Sequence, residues 1–202
     1  MSQEFNKPLY EKLLEYATYN NSVESLTHSV VSSICNEMGT HIENEEVTLW
    51  QLYIHIARAL VLPNLDFPRE NRIKLENLRQ SLATTDVVKL QKFHDLAFAP
   101  MYIDCIINAL TKFNMSDDLY KELNSIQRNY GISIAKSKEL ENETASSVLC
   151  SVIDEILSEG IEKTSMHFVK TFVDSITFTL NDNAKKAYNN FIVRYNNRYA
   201  KK

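Results

Sequence analysis

The residues of this 202-residue chain that could do chemistry are five histidines, three cysteines and a scatter of carboxylates, and their spacing limits what they can do. Gln51, His55 and Arg58 are the polar positions of an otherwise apolar run from Leu49 to Leu62. They stand at i, i+4 and i+7, so on a helix they share one narrow stripe. Arginine stays charged and cannot be buried without a partner. The stripe therefore meets solvent, pairs with an acid on a neighbouring helix, or lines a pocket. The run Met101 to Leu110 repeats the design, with Asp104 and Asn108 one turn apart. Gln51, His55, Arg58, Asp104 and Asn108 are thus the candidate ligand pocket. Asp104 is the candidate partner of Arg58, and Trp50, the single tryptophan, is expected beside them. A third stripe, His167, Lys170 and Asp174, is expected to face water.

Metal and covalent chemistry find less to work with. The doublet His94-Asp95 follows His55 and precedes Asp154 and Asp174, an order that resembles HD-type phosphohydrolases, in which such residues hold water-activating metals. A histidine usual in that pattern is missing. His55, His94 and Asp95 are the metal candidates that remain, and the histidines do not cluster along the chain. His41 has ligand-like spacing to Glu45 and Glu46, but in an expected loop. There is no G-x-S-x-G, H-E-x-x-H, EF-hand or repeated Glu-x-x-His spacing. The three glycines have no glycine neighbours, which excludes a glycine-rich phosphate loop. Cys35, Cys105 and Cys150 form no C-x-x-C pair and sit among apolar residues, as free thiols acting as small core hydrophobes would. No catalytic residue and no cofactor is expected, and the reading leans away from an enzyme.

Charge is distributed unevenly. The net charge of −4 combines +6 over residues 183–202, where Lys185, Lys186, Arg194, Arg198, Lys201 and Lys202 meet no acid, with −10 over the rest. Tyr195 and Tyr199 recur among those bases, so this segment is a candidate site for a protein partner or, with the tyrosines stacking on bases, for nucleic acid. The competing reading is core packing: cations suit a helix C-terminus, and a tyrosine stripe suits a buried face.

The elements that must position these residues are helical. Asn6 and Pro8 open a helix to Tyr19; Ser22 caps one through Met38, stopped by Gly39. Thr48 opens a helix to Val61 that Pro63 ends. Asp66 and Pro68 open the next, to about Leu82; Thr84 or Thr85 opens one that ends before Pro100, and Met101 to Phe113 follows. Ser116 caps a helix ended by Gly131, and the polar stretch 136–147, the only candidate hinge, leads into an apolar helix ended by Gly160. Thr164 or Ser165 opens the penultimate helix and Asp182 caps the last, about 183–200. Gly131 to Ala135 and Ser175 to Leu180 look strand-like but are too short for a sheet. The expected fold is all-α: a single compact bundle of nine or ten short helices around a central apolar helix, with residues 1–202 one domain.

No run approaches a membrane span and the first ten residues lack a signal-peptide core, which implies a soluble, cytoplasmic protein. Abundant asparagine, lysine, isoleucine and tyrosine suit viral, phage or other AT-rich genomes. The expected function is non-enzymatic: a helical interaction or regulatory protein with another protein, or a second copy of itself, as partner. The alternatives are a ligand-sensing or hydrolase pocket near His55, Arg58 and Asp104, and nucleic-acid binding by the last helix.

Overall fold

The computed structural model describes the chain except residues 1–3, 21, 63–65, 83–86, 112–116, 177 and 200–202, and except the side chains of residues 87, 111 and 117–119. Among the described residues there are nine α-helices, two short 3-10 turns and no strand, so the fold is all-α. Packing divides the chain into two compact units, Met1–Phe98 and Ala99–Lys202.

In the first unit, Asn6 caps α1 (Lys7–Tyr19) by accepting from the Leu9 amide at 3.2 Å, with Pro8 in the first turn. The expected helix from Ser22 to Met38 is two pieces. Ser22 caps only the 3-10 turn Val23–Ser25; Thr27 then caps α2 (His28–Glu37), and Gly39 follows at φ +74°. The break falls at Leu26, which leaves helical geometry (ψ 64°) and is completely buried. Full burial of a leucine is worth about 2 kcal/mol, more than the propensity lost at one residue.

α3 (Glu46–Ala59) starts two residues before Thr48. Thr48 is not its cap but a buried interior residue, whose hydroxyl accepts from the Asn6 amide at 2.9 Å and donates to the Glu45 carboxylate at 3.1 Å. Asn6 Nδ2 also donates to Glu45, at 3.1 Å. This buried polar cluster ties the start of α1 to the start of α3. Leu52 and Ala57 are completely buried in α3, which packs against α1 and α4 (Arg69–Ser81). The expected stop at Pro63 and the caps at Thr84, Thr85 and Ser116 lie outside the described residues.

α5 (Val87–Thr111) corrects the reading at Pro100, where one helix was expected to end and another to begin. A proline inside a helix has no N–H for the carbonyl four residues back, here Leu96. Arg58 makes up the loss: its Nη2 donates to Leu96 O at 3.4 Å and its Nε to Ala97 O at 3.2 Å. A donor from α3 thus stands where the proline removed one.

In the second unit, α6 (Asp117–Tyr130) ends at Gly131, φ +66°. Ser133 then caps α7 (Ile134–Glu159). The polar stretch 136–147 lies wholly within α7. α7 packs against α8 (Ser165–Ser175) and α9 (Asp182–Tyr199), burying Leu149 and Ile153 with Val169, Phe172 and Phe191. Asn142 and Ser146 of the polar stretch accept from the amides of Thr179 and Asn181, at 2.8 and 2.9 Å. The connection that looked strand-like is therefore held by side chains of a helix. Asn181, not Asp182, caps α9, accepting from the Ala184 amide at 2.9 Å.

Candidate functional site

The stripe of α3 lies exposed along a groove in the first unit. Gln51, His55 and Arg58 line it together with Phe5, Tyr10, Ile54 and Ala59, in an open depression of about 850 Å³. Two features build its wall. The Asn6–Glu45–Thr48 cluster fixes the chain entering α1, which places Phe5 and Tyr10 over α3. The Tyr10 hydroxyl then meets His55 Nδ1 at 2.8 Å, and Phe5 packs edge-on against Tyr10, with ring centroids 5.4 Å apart. Phe5 is still 45% exposed. On its other side His55 borders a smaller depression of about 410 Å³, with Leu14, Val23 and Leu60.

Arg58 is the groove's charge. Its hydrogen bonds go to two backbone carbonyls, which orient the guanidinium without neutralising it. Among the described residues no carboxylate pairs with it, and the helix carbonyls leave Nη1 unengaged. A fixed, exposed cation beside aromatic rings suits a carboxylate reached by two parallel N–H groups, or an aromatic face.

This is an open groove rather than the enclosed pocket expected from the sequence. Asp104 and Asn108 belong to the second unit, where both are exposed on α5. The partners of Arg58 are the Leu96 and Ala97 carbonyls within its own unit. Trp50 is absent from the groove's lining: it is buried, packed on Phe93. His167, Lys170 and Asp174 are all exposed on α8, facing water as expected.

The metal candidates are held in other ways. His94 Nδ1 meets the Tyr53 hydroxyl at 2.7 Å, and Asp95, buried, accepts from Gln91 at 2.8 Å. Burial pushes the Tyr53 hydroxyl far above its usual range, so it stays neutral as a hydrogen-bonding partner of His94. Among the described residues no three His, Cys, Asp or Glu side chains gather as a metal ion would require. The two buried thiols, Cys35 and Cys105, are equally unsuited to attack. Burial first, then the nearby Asp104 and Glu122, push Cys105 up to about 11. Burial, with Glu45 and Glu43, raises Cys35. A nucleophilic cysteine needs the opposite shift. Tyr102, buried, donates to Glu141 at 2.5 Å, and burial followed by that hydrogen bond raises its hydroxyl as well.

The last helix turns its tyrosines inward. Tyr195 donates to Lys163 O at 3.0 Å and Tyr199 to Ile161 O at 2.7 Å, both on the α7–α8 connection. Both rings are half-buried, and these two bonds tie α9 to that connection. Lys185, Lys186, Arg194 and Arg198 are exposed; Lys185 stands 3.8 Å from Asp182, and Arg198 lies over the Tyr199 ring.

Sequence reasoning missed Phe5, Tyr10, Ile54 and Ala59. Ile54 and Ala59 stand at i+3 and i+8 from Gln51, a signal that was legible. Tyr10 comes from α1 and Phe5 from the residue before its cap, and the Asn6–Glu45–Thr48 contact brings them there. Searches of protein-family models, curated proteins and solved structures gave no match to this chain. No helix among the described residues is long and apolar enough to cross a membrane.

Proposed function

We propose that the protein is a non-enzymatic docking module whose first unit receives an amphipathic helix of a partner protein in the α3 groove. The observation that supports this most is Arg58: a charged side chain oriented by backbone carbonyls, without a carboxylate, at the rim of a groove that leaves Phe5 open. Apolar side chains at i, i+3, i+4 and i+7 of the incoming helix cover Phe5, Ile54 and Ala59, and an acid of that helix reaches Arg58. Helix-in-groove recognition of this type draws affinity from apolar anchors and register from the charged contact. The raised Cys35 and Cys105 thiols and the absence of gathered metal donors among the described residues favour this reading over a hydrolase.

Selection of displayed random peptides against the full chain tests it. Ala59 is exposed and lines the groove, so Ala59→Glu fills the groove and opposes an acidic ligand while leaving the core intact. Enriched peptides are expected to carry apolar residues at helical spacing with an acid, and to bind Ala59→Glu and Phe5→Ala at least about tenfold more weakly, at unchanged Tm. Peptides that bind Ala59→Glu as tightly as the parent, or no enrichment at all, overturn the proposal.

A further inference from the structure

The geometry points to a second binding surface, on the solvent face of α9, that takes the phosphate backbone of double-helical DNA. It is independent of the groove, since every residue that carries it belongs to the second unit. With Ala184 and Phe191 buried and Tyr195 and Tyr199 bonded to the α7–α8 connection, one face of α9 is committed to the body. The opposite face carries Asn183, Lys186, Asn190, Arg194 and Asn197, all exposed. Their spacing of 3, 4, 4 and 3 residues makes one continuous stripe in which amides alternate with cations. Among the described residues neither Lys186 nor Arg194 has a carboxylate partner, and no acid follows Asp182 in the sequence. Their charge therefore projects into solvent uncompensated.

The amides sharpen the reading. Asparagine is a poorer helix former than glutamine, glutamate or lysine. Asparagine makes up 19 of the chain's 202 residues but five of the 18 in α9, all of them exposed, where helix formation alone would use those residues. A row of amide and cationic donors is what phosphate and base edges receive. Tyr195 and Tyr199 are half-buried with their hydroxyls held at the α7–α8 connection, which favours a duplex over a single strand, because single-strand binding relies on aromatic rings open for stacking. An 18-residue helix is about 27 Å long and about 10–12 Å across, which suits the major groove of B-form DNA and its flanking phosphates. The body's excess of acids keeps the contact local to this helix and leaves it weak and strongly salt-dependent.

Fluorescence anisotropy of the full chain with a labelled random-sequence duplex at low salt tests the assignment. Lys186→Glu/Arg194→Glu is compared with Lys138→Glu/Lys170→Glu, which makes the same change in net charge at exposed positions of α7 and α8. Parent protein is expected to bind, with affinity falling steeply as salt rises; the α9 variant is expected to lose about tenfold or more and its salt slope to shrink by about two. The α7/α8 variant is expected to change by less than about threefold. All four side chains are exposed, so thermal unfolding is expected to be unchanged and loss of binding reads the surface itself. Absence of binding by the parent, equal losses in both variants, tighter binding of single strands, or binding only to anionic vesicles would each overturn the assignment.

Discussion

The polar stripe of α3 and the polar stripe of α9 use the same ingredients, amides and cations on one side of a helix, and they end in different structures. In α3 the stripe is flanked by residues from outside its helix: Tyr10 of α1 and Phe5, just before it, form a wall, and Arg58 is held by two carbonyls. In α9 the aromatic residues go the other way, onto the body, and the stripe is left convex and uncovered. The difference lies in what each aromatic residue finds to bond. Tyr10 finds His55 on the polar stripe itself, whereas Tyr195 and Tyr199 find carbonyls of the α7–α8 connection. A concave stripe with an apolar wall selects a shaped, partly apolar ligand; a convex one selects charge.

That contrast can be broken first at its cations. Arg58→Ala is expected to cost about 1–3 kcal/mol, because it leaves the Leu96 and Ala97 carbonyls without their donor. Arg194→Ala, which removes only an exposed charge, is expected to stay within about 0.5 kcal/mol of the parent. Urea unfolding of the two variants is the check; equal costs would mean that the carbonyls do not hold Arg58. Next come the residues that set the groove's wall. Thr48→Val leaves the Asn6 amide and the Glu45 carboxylate short of a partner, at a cost of about 1–2 kcal/mol. It should also release Phe5, read as a greater exposure of residues 4–10 to hydrogen exchange. Asn181→Ala is expected to cost about 1 kcal/mol and Asp182→Ala close to nothing, since only the first removes the cap of α9.

The titrating groups give a pH dependence of definite sign. Cys105, Tyr102 and Tyr53 hold their protons more tightly in the folded chain than in the unfolded one. Their contribution is fully present below the unfolded-state values and is lost as pH rises. Cys105, raised from 9.0 to about 11, acts across that interval. The unfolding free energy from urea titrations is therefore expected to be insensitive to these three groups below about pH 8.5 and to fall above it, by at most about 1.4 kcal/mol per pH unit for each group that is ionised only when unfolded. An unfolding free energy that rises between pH 9 and 10.5 would contradict the sign. The smallest effect is kinetic. Among the thiols Cys150 alone is partly exposed, so native-state labelling with a disulfide reagent is expected to modify it ahead of Cys35 and Cys105.

Where a local signal decided the outcome, the fold was legible. Asn6 with Pro8 opens α1, and Gly39, Gly131 and Gly160 each follow a helix with positive φ. The stripe at Gln51, His55 and Arg58 was legible from spacing alone. Where a distant residue decided, the reading failed. Pro100 stays inside α5 because Arg58, 42 positions earlier, bonds the Leu96 and Ala97 carbonyls. The helix expected from Ser22 breaks because burial of Leu26 outweighs continuity. No linker announces the two units, because the division falls inside α5, one residue before Pro100. The groove was half legible for the same reason: α3 contributes a periodic face, and the residues flanking it come from a segment whose placement depends on buried contacts across about forty positions.

The most direct test of the contrast is a two-by-two binding measurement. Ala59→Glu and Lys186→Glu/Arg194→Glu are each titrated with a selected helical peptide and with duplex DNA. Two distinct surfaces predict that the first variant loses the peptide and keeps the DNA, and that the second does the reverse. A variant that loses both ligands, or a pair that loses neither, would contradict the account.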